Sequence, residues 1–208
     1  MSAMEKFVAF TAVAAPYEPE NVDTDQILPA RFLKMPRGGG RHYGDFLFND
    51  LRRGDDGAER PDFVLNRPDF RAARILVGNA NFGCGSSREG AVYAFLDAGF
   101  RSVVAPSFGD IFFNNCLKNG IVPVRLDAAS CAALRARLVA RPGTEIAVDL
   151  EALELRVADG PTHRFEVDSF FREMLLKGVD EVGLTLGLAA DIDAFEATHR
   201  TRSPWALR

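Results

Sequence analysis

The hydrophobic pattern of the chain changes character along its length. Residues 7–15 are rich in apolar and β-branched side chains and predict a strand. Pro16, Pro19 and Asn21 break it, and the polar turn Asn21-Val22-Asp23-Thr24-Asp25-Gln26 leads into Ile27-Leu28-Pro29. Residues 34–62 hold many glycines, arginines and aspartates, including Gly38-Gly39-Gly40, and predict a long loop with little regular structure. Loops of that length are often lids or binding segments. From residue 74 the pattern is cleaner. A strand near 74–78 feeds a helix over 87–98, and a strand over 101–105 feeds a helix over 108–118 that stops at Asn119-Gly120. A further strand covers 121–124, and Asp127 caps a helix over 127–140. Alternating apolar and polar residues over 145–149, 154–157 and 162–167 predict two or three strands, with Asp159-Gly160 as a hairpin turn. Residues 170–176 and 189–198 read as helices. This order predicts a mixed α/β domain with parallel crossovers in the middle and a hairpin later.

Composition narrows the function classes. The 208 residues are 47% hydrophobic and 26% charged, which suits a soluble globular chain with a sizeable core. The net charge of -4 gives nucleic acid no basic surface to bind. No apolar run approaches the ~20 residues needed to span a bilayer. The N-terminus lacks a charged-then-apolar signal pattern, so a cytoplasmic location is the default expectation. The three cysteines, Cys84, Cys116 and Cys131, are odd in number, far apart and without a C-x-x-C pair. Neither a disulfide framework nor a self-contained zinc or iron–sulfur site is expected from them. His42, His163 and His199 are scattered as well, so any metal used here would draw most of its ligands from elsewhere.

The densest chemistry lies in Asn81-Phe82-Gly83-Cys84-Gly85-Ser86-Ser87-Arg88-Glu89. A strand-to-helix turn of this kind aims backbone N–H groups outward at the positive end of a helix dipole, a geometry that binds carboxylates. Ser86-Ser87-Arg88-Glu89 also fits a capping box, in which Ser86 would accept from the Glu89 N–H, and caps are far commoner than active sites. Two features weigh against a mere cap. A cap needs neither Gly83 nor Gly85, and a cation in the first helical turn opposes the dipole, so Arg88 should have an anionic partner. A dinucleotide fingerprint fails because Arg88 stands at the third glycine and the next strand runs into Pro106 rather than an acidic residue. A Walker loop and a nucleophile elbow also lack their residues. Cys84 reads better as a small packed residue than as a nucleophile.

Two other clusters keep two readings each. Asp23-Thr24-Asp25 fits an ordinary turn or helix cap, or else supplies an aspartate that holds an arginine in place. Lys34, Arg37 and Arg41 fit a solvated loop face, or else a basic lid over an anionic ligand.

Taken together, these segments resemble the small subunit of 3-isopropylmalate dehydratase. The stretch from Asn21 to Leu33 is similar to the opening signature of that family, and the stretch from Asn81 to Glu89 to its central one. Ala105-Pro106-Ser107-Phe108-Gly109-Asp110, Pro61-Asp62-Phe63-Val64-Leu65-Asn66, Phe48-Asn49-Asp50 and Val182-Gly183-Leu184-Thr185-Leu186 continue the match in order. The resemblance implies a swivelling β/β/α three-layer domain of the aconitase type, one domain over 1–208 with a loop insertion about 34–62 and a C-terminal helical tail about 189–208. It implies a partner, the large subunit, in a heterodimer. That partner would supply a [4Fe–4S] cluster as Lewis acid, with none bound by this chain alone. It also implies roles. Ser86 matches the catalytic base, Ser87 and Arg88 match groups that bind a substrate carboxylate, and Arg37 matches a second substrate-binding arginine. Asp25 and Thr24 fall behind these groups. The substrate class is a small 2-hydroxy diacid, 2-isopropylmalate in leucine biosynthesis. Two departures widen the choice: Gly90 stands where the family has histidine, and Arg37-Gly38-Gly39-Gly40 departs from the usual Arg-Thr-Gly. A paralogue acting on a dimethylmalate or citramalate type of diacid, or a non-catalytic diacid-binding module, are the alternatives.

Overall fold

Short, wholly buried apolar strands are the mark of a parallel sheet covered on both faces. Ile75–Val77 and Ser102–Ala105 are such strands, β2 and β3 in a chain that begins with β1, Ala9–Pro16. The computed structural model describes residues 4–37, 42–86 and 88–206. Between β1 and β2 lie the short helices α1 (Thr24–Ile27) and α2 (Asn49–Arg52). Helix α3 (Glu89–Asp97) joins β2 to β3, and α4 (Asp110–Lys118) joins β3 to β4 (Val122–Arg125). Then follow α5 (Ala128–Ala140), β5 (Glu145–Asp149), β6 (Glu154–Val157), β7 (Thr162–Arg164), α6 (Ser169–Lys177), α7 (Glu181–Leu186) and α8 (Ala189–Arg202).

The seven strands form one sheet in the order β4-β3-β2-β1-β5-β6-β7. β1 to β4 pair in parallel, with Ala15 opposite Leu76 and Leu76 opposite Val103. β5 returns antiparallel against β1, and β6 and β7 continue antiparallel through the Asp159-Gly160 turn. Pro123 sits in β4, at the edge of the sheet, where a missing N–H costs no interior ladder bond. Alternate residues feed two cores. Ala15, Leu76, Val103 and Ala105 face one with Ile27, Phe95 and Phe112 from the helices. Ala14, Ile75, Val77 and Val104 face the other with Leu134 and Leu138 of α5 and Ile146 and Val148 of β5.

The expected α/β order is borne out, with differences at the edges of elements. The first crossover helix begins at Glu89 rather than 87, because Arg88 is an extended N-cap with φ -129°. Asp127 caps α5 as expected, accepting from the Ser130 N–H at 2.8 Å. The last predicted strand shrinks to Thr162–Arg164, and α7 has no counterpart in the predicted elements. Segment 42–66 carries more order than its composition predicts. Tyr43, Leu47, Phe48 and Leu65 are buried, and the Asn66 side chain donates to the carbonyls of Arg52 and Arg60 at 2.8 and 2.9 Å. Single apolar residues scattered among polar ones escape periodicity, yet each joins the core that holds Ile27 and Phe95. Gly38 to Arg41 lie outside the described residues.

Beyond the C-terminal ends of β1, β2 and β3 the chain does not splay. Isolated parallel bridges join Asp23 to Cys84 and Phe82 to Phe108, extending the sheet into three adjacent turns. In open α/β sheets this end is where ligands bind.

Candidate active site

The first two of those turns are fastened by a ladder of hydrogen bonds. The Cys84 N–H donates to the Val22 carbonyl and the Thr24 N–H to the Cys84 carbonyl, both at 2.9 Å. The buried Thr24 hydroxyl then donates to the Ser86 carbonyl at 3.1 Å. On the approach to the turns, Asn21 and Asn81 both adopt left-handed backbone (φ 53° and 58°), and the Asn81 amide donates to the Asn21 side-chain oxygen at 2.9 Å. Asparagine tolerates that region better than most side chains do. The third turn joins through the Ser107 hydroxyl, which accepts from the Asn81 N–H at 2.8 Å.

Both glycines of the central motif have steric causes. A Cβ on Gly83 (φ +73°) would stand 2.2 Å from the Phe112 ring, and one on Gly85 (φ +95°) 2.1 Å from a carboxylate oxygen of Asp23. Asp23 has its own task. It caps α1, accepting from the Asp25 N–H at 2.6 Å, while Gln26 reaches back to the Asp23 N–H at 3.1 Å in a complete capping box. Gly85 therefore leaves room for the carboxylate that starts α1.

The next residue in α1, Asp25, ion-pairs with Arg88 at the start of α3. This is the anionic partner expected for an arginine that opposes a helix dipole. Both readings of Asp23-Thr24-Asp25 hold at once, because one aspartate caps and the other holds an arginine. The capping-box reading of Ser86 and Glu89 is not what the structure has. Arg88 is the N-cap and carries no side-chain cap bond, and Glu89 instead accepts from the Asn119 side chain at 2.8 Å. Ser86 is left exposed at the rim of the turn. Burial and then the Asp23 charge push the Cys84 thiol above its ordinary range, which keeps it protonated and a poor nucleophile.

The structure thus brings Thr24, Asp25, Ser86 and Arg88 together. Ser87 lies outside the described residues, as does Arg41. Arg37 is not brought to the turn. Its guanidinium grips Asp97 with contacts of 2.7 to 3.2 Å and lies 4.2 Å from the centre of the Tyr93 ring, so it is spent on the C-terminal half of α3. The Asp97 carboxylate also accepts from the Tyr43 N–H, an anchor that no pattern in the sequence exposes. The Asn21–Asn81 pair is likewise missed by sequence reasoning. Its one signal is an asparagine at each of two strand ends, which marks a break in a strand but not a partner.

Set against known proteins, the chain matches the family model for the aconitase C-terminal domain over residues 4–129, and that for the C-terminal domain of the 3-isopropylmalate dehydratase small subunit over 181–208. It is 53% identical to the 3-isopropylmalate dehydratase small subunit of Rhodospirillum centenum, covering 98% of this chain and all of that one. The chain belongs to the 3-isopropylmalate dehydratase small-subunit family. The small subunit of Gluconacetobacter diazotrophicus is 48% identical, covering 99% of this chain and 98% of its own. The solved structure of 3-isopropylmalate dehydratase from Methanocaldococcus jannaschii matches with a TM-score of 0.63 over 90% of this chain and 99% of that one, at 22% identity. The fold is the α/β swivelling domain of the aconitase type, as the resemblance implied.

Position 90, where the resemblance led to an expectation of histidine, is sterically tight. A Cβ on Gly90 would stand 2.4 Å from one methyl of Leu33 and 3.1 Å from one of Leu28. Leu33, from the 3-10 turn Ala30–Lys34, occupies the space that a side chain at 90 would take. That turn is anchored in its own right. Arg31 forks onto Asp50 of α2, and this pairing holds the Asp50 carboxyl down at about 2. The cysteines are not placed for a metal. Cys116 and Cys131 are buried in different cores, and among the described residues no three His, Cys, Asp or Glu side chains are grouped to hold an ion. Among the described residues no helix is long and apolar enough to cross a membrane.

Proposed function

We propose that this chain is the small subunit of a cytoplasmic hydro-lyase that converts 2-isopropylmalate to 3-isopropylmalate by dehydration and rehydration, a step of leucine biosynthesis. It acts as one swivelling domain with a large subunit in a heterodimer. The observation that carries this reading is the Thr24–Ser86 and Asp25–Arg88 fastening, which sets a hydroxyl and a guanidinium on one turn at a helix start.

In this reading Arg88 and Ser87 hold a substrate carboxylate, Arg88 through two parallel hydrogen bonds. Holding the acid fixes which C–H lies against Ser86. Ser86 takes that proton, hydroxide leaves the adjacent carbon, and return of water with the two positions exchanged gives the isomer. A serine is a weak base in water, so its charged form needs donors and cations in a closed site. The helix start and Arg88 offer these. Ser86 is open here, and closure falls to the large subunit. Asp25 and Thr24 keep the turn and the arginine in register. Arg37 reaches the substrate only by leaving Asp97. A [4Fe–4S] cluster needs several thiolates, which these three cysteines are not arranged to give, and the large subunit supplies it. Its chemistry is Lewis-acid help to the departing hydroxyl.

The test is reconstitution with the cognate large subunit under anaerobic conditions. Ser86→Ala should lower kcat by about 10²- to 10⁴-fold, the range for a lost general base, with KM little changed. Full activity in that variant removes the base assignment. The Leu33–Gly90 contact favours a changed pocket for the side chain of the diacid. Turnover of a dimethylmalate or citramalate, and none of isopropylmalate, would move the chain to that paralogous reading.

A further inference from the structure

Among the described residues Arg135 is the most deeply buried charged one, 6% exposed. It stands on the inner face of α5, four residues after Cys131 and three before Leu138, both buried in the second of the two cores. The helical pattern calls for an apolar side chain there. A buried charge is costly unless its donors are satisfied, and replacing a buried ion pair by apolar residues is often harmless to stability. Stability by itself gives no reason for an arginine at 135.

Its contacts do. The Arg135 Nη1 donates to the Gly78 carbonyl at 2.8 Å and its Nε to the Glu18 carboxylate at 3.0 Å. Gly78 is the first residue past β2, and Glu18 the second past β1. One guanidinium thus holds the exits of two neighbouring parallel strands at once. A second tie crosses the same gap, where the Asn79 side chain donates to the Glu18 carbonyl at 2.9 Å. A third lies just beyond, from the Asn21 N–H to the Ala80 carbonyl, also at 2.9 Å. Next come Asn21 and Asn81, whose left-handed backbones turn both exits, and then the turns that carry Thr24 and Asp25 on one side and Ser86 and Arg88 on the other. Arg135 fixes the spacing of the two stems on which those turns stand.

We propose that Arg135 is a positioning residue for the reaction, acting through the β1 and β2 exits to keep Thr24 against Ser86 and Asp25 against Arg88. Its catalytic consequence rests on the function proposed above, while its hold on the two turns does not.

Hydrogen exchange of the full chain alone, read amide by amide, tests that hold without the large subunit or substrate. The Thr24 and Cys84 N–H groups report the ladder between the turns. The Arg74 N–H, which donates to the Val13 carbonyl at 3.0 Å, reports the other end of the same strand pair. In Arg135→Met the first two should exchange about 10-fold faster, the effect of roughly one lost hydrogen bond to a charged group, and Arg74 at its native rate. Glu18→Ala, at a side chain 65% exposed, frees one of the two contacts without touching the core. It should move the same two amides the same way, by less, and it decides the matter if Arg135→Met does not fold. Equal acceleration of all three amides would mean that Arg135 serves stability alone, and overturns the proposal. So do turn amides that change in neither variant. In the complex with the large subunit, Arg135→Met should lower kcat by about 10- to 10²-fold, as a small misplacement of reacting groups does, with assembly intact. A native kcat in that variant removes the positioning role. The exchange measurement needs no turnover, so failure of the proposed chemistry and failure of the Arg135 inference are told apart.

Discussion

At Gly85 the backbone sits at φ +95° and the Asp23 carboxylate fills the place of a side chain. Replacing Gly85 by Ala therefore combines backbone strain, about 1–3 kcal/mol for a residue forced into such a conformation, with a collision against a capping group. The expected result in urea titration is a lower midpoint with the slope unchanged. An unaltered midpoint would mean that the turn relaxes freely. At neighbouring positions the sequence predicts the type of contact but not the partner. Arg88 needs an anion, and the anion is Asp25, 63 positions earlier by their numbers. Pairings over such distances leave no trace in local pattern, because they depend on which strands lie side by side.

The 3-10 turn Ala30–Lys34 and α2 are held to each other by the Arg31–Asp50 fork. Asp50 titrates at about 2 in the folded chain against an ordinary 3.8, the Arg31 hydrogen bond being the main cause. A depressed carboxyl contributes stability above its unfolded value, and that contribution is lost as pH falls toward the folded value. The native chain should therefore melt above Asp50→Asn at neutral pH, with the gap closing between about pH 4 and pH 2. A gap independent of pH would show that the fork contributes nothing. The pair is half exposed and salt will weaken it. Composition alone predicts a long loop with little regular structure for this region, and only short helical turns form there. Its buried Tyr43, Leu47 and Phe48 are what composition does not expose: single anchors, spaced without period, secure a segment only once a core exists to receive them.

The whole molecule divides unequally. β1 to β6 and α1 to α6 share two cores on the two faces of one sheet, while β7 and α8 contribute to neither. Truncation after Gly187 should leave the melting temperature within a few degrees of the native value. A large drop would assign α8 a structural duty that its exposure denies. By itself the sequence determined the elements from residue 74 to 157, the caps at Asp127 and Asn119, and the strand-to-helix turn over 81–89 with its need of an anion for Arg88. These rest on contacts between near neighbours, and periodicity and capping residues report such contacts directly. Only the tertiary structure decided that the 21–25 and 81–86 turns lie edge to edge, that Asp25 rather than Glu89 meets the central motif's cation, and that Arg37 is taken by Asp97. Those outcomes follow from β1 and β2 pairing in parallel, which converts a long separation along the chain into adjacent rungs of a ladder.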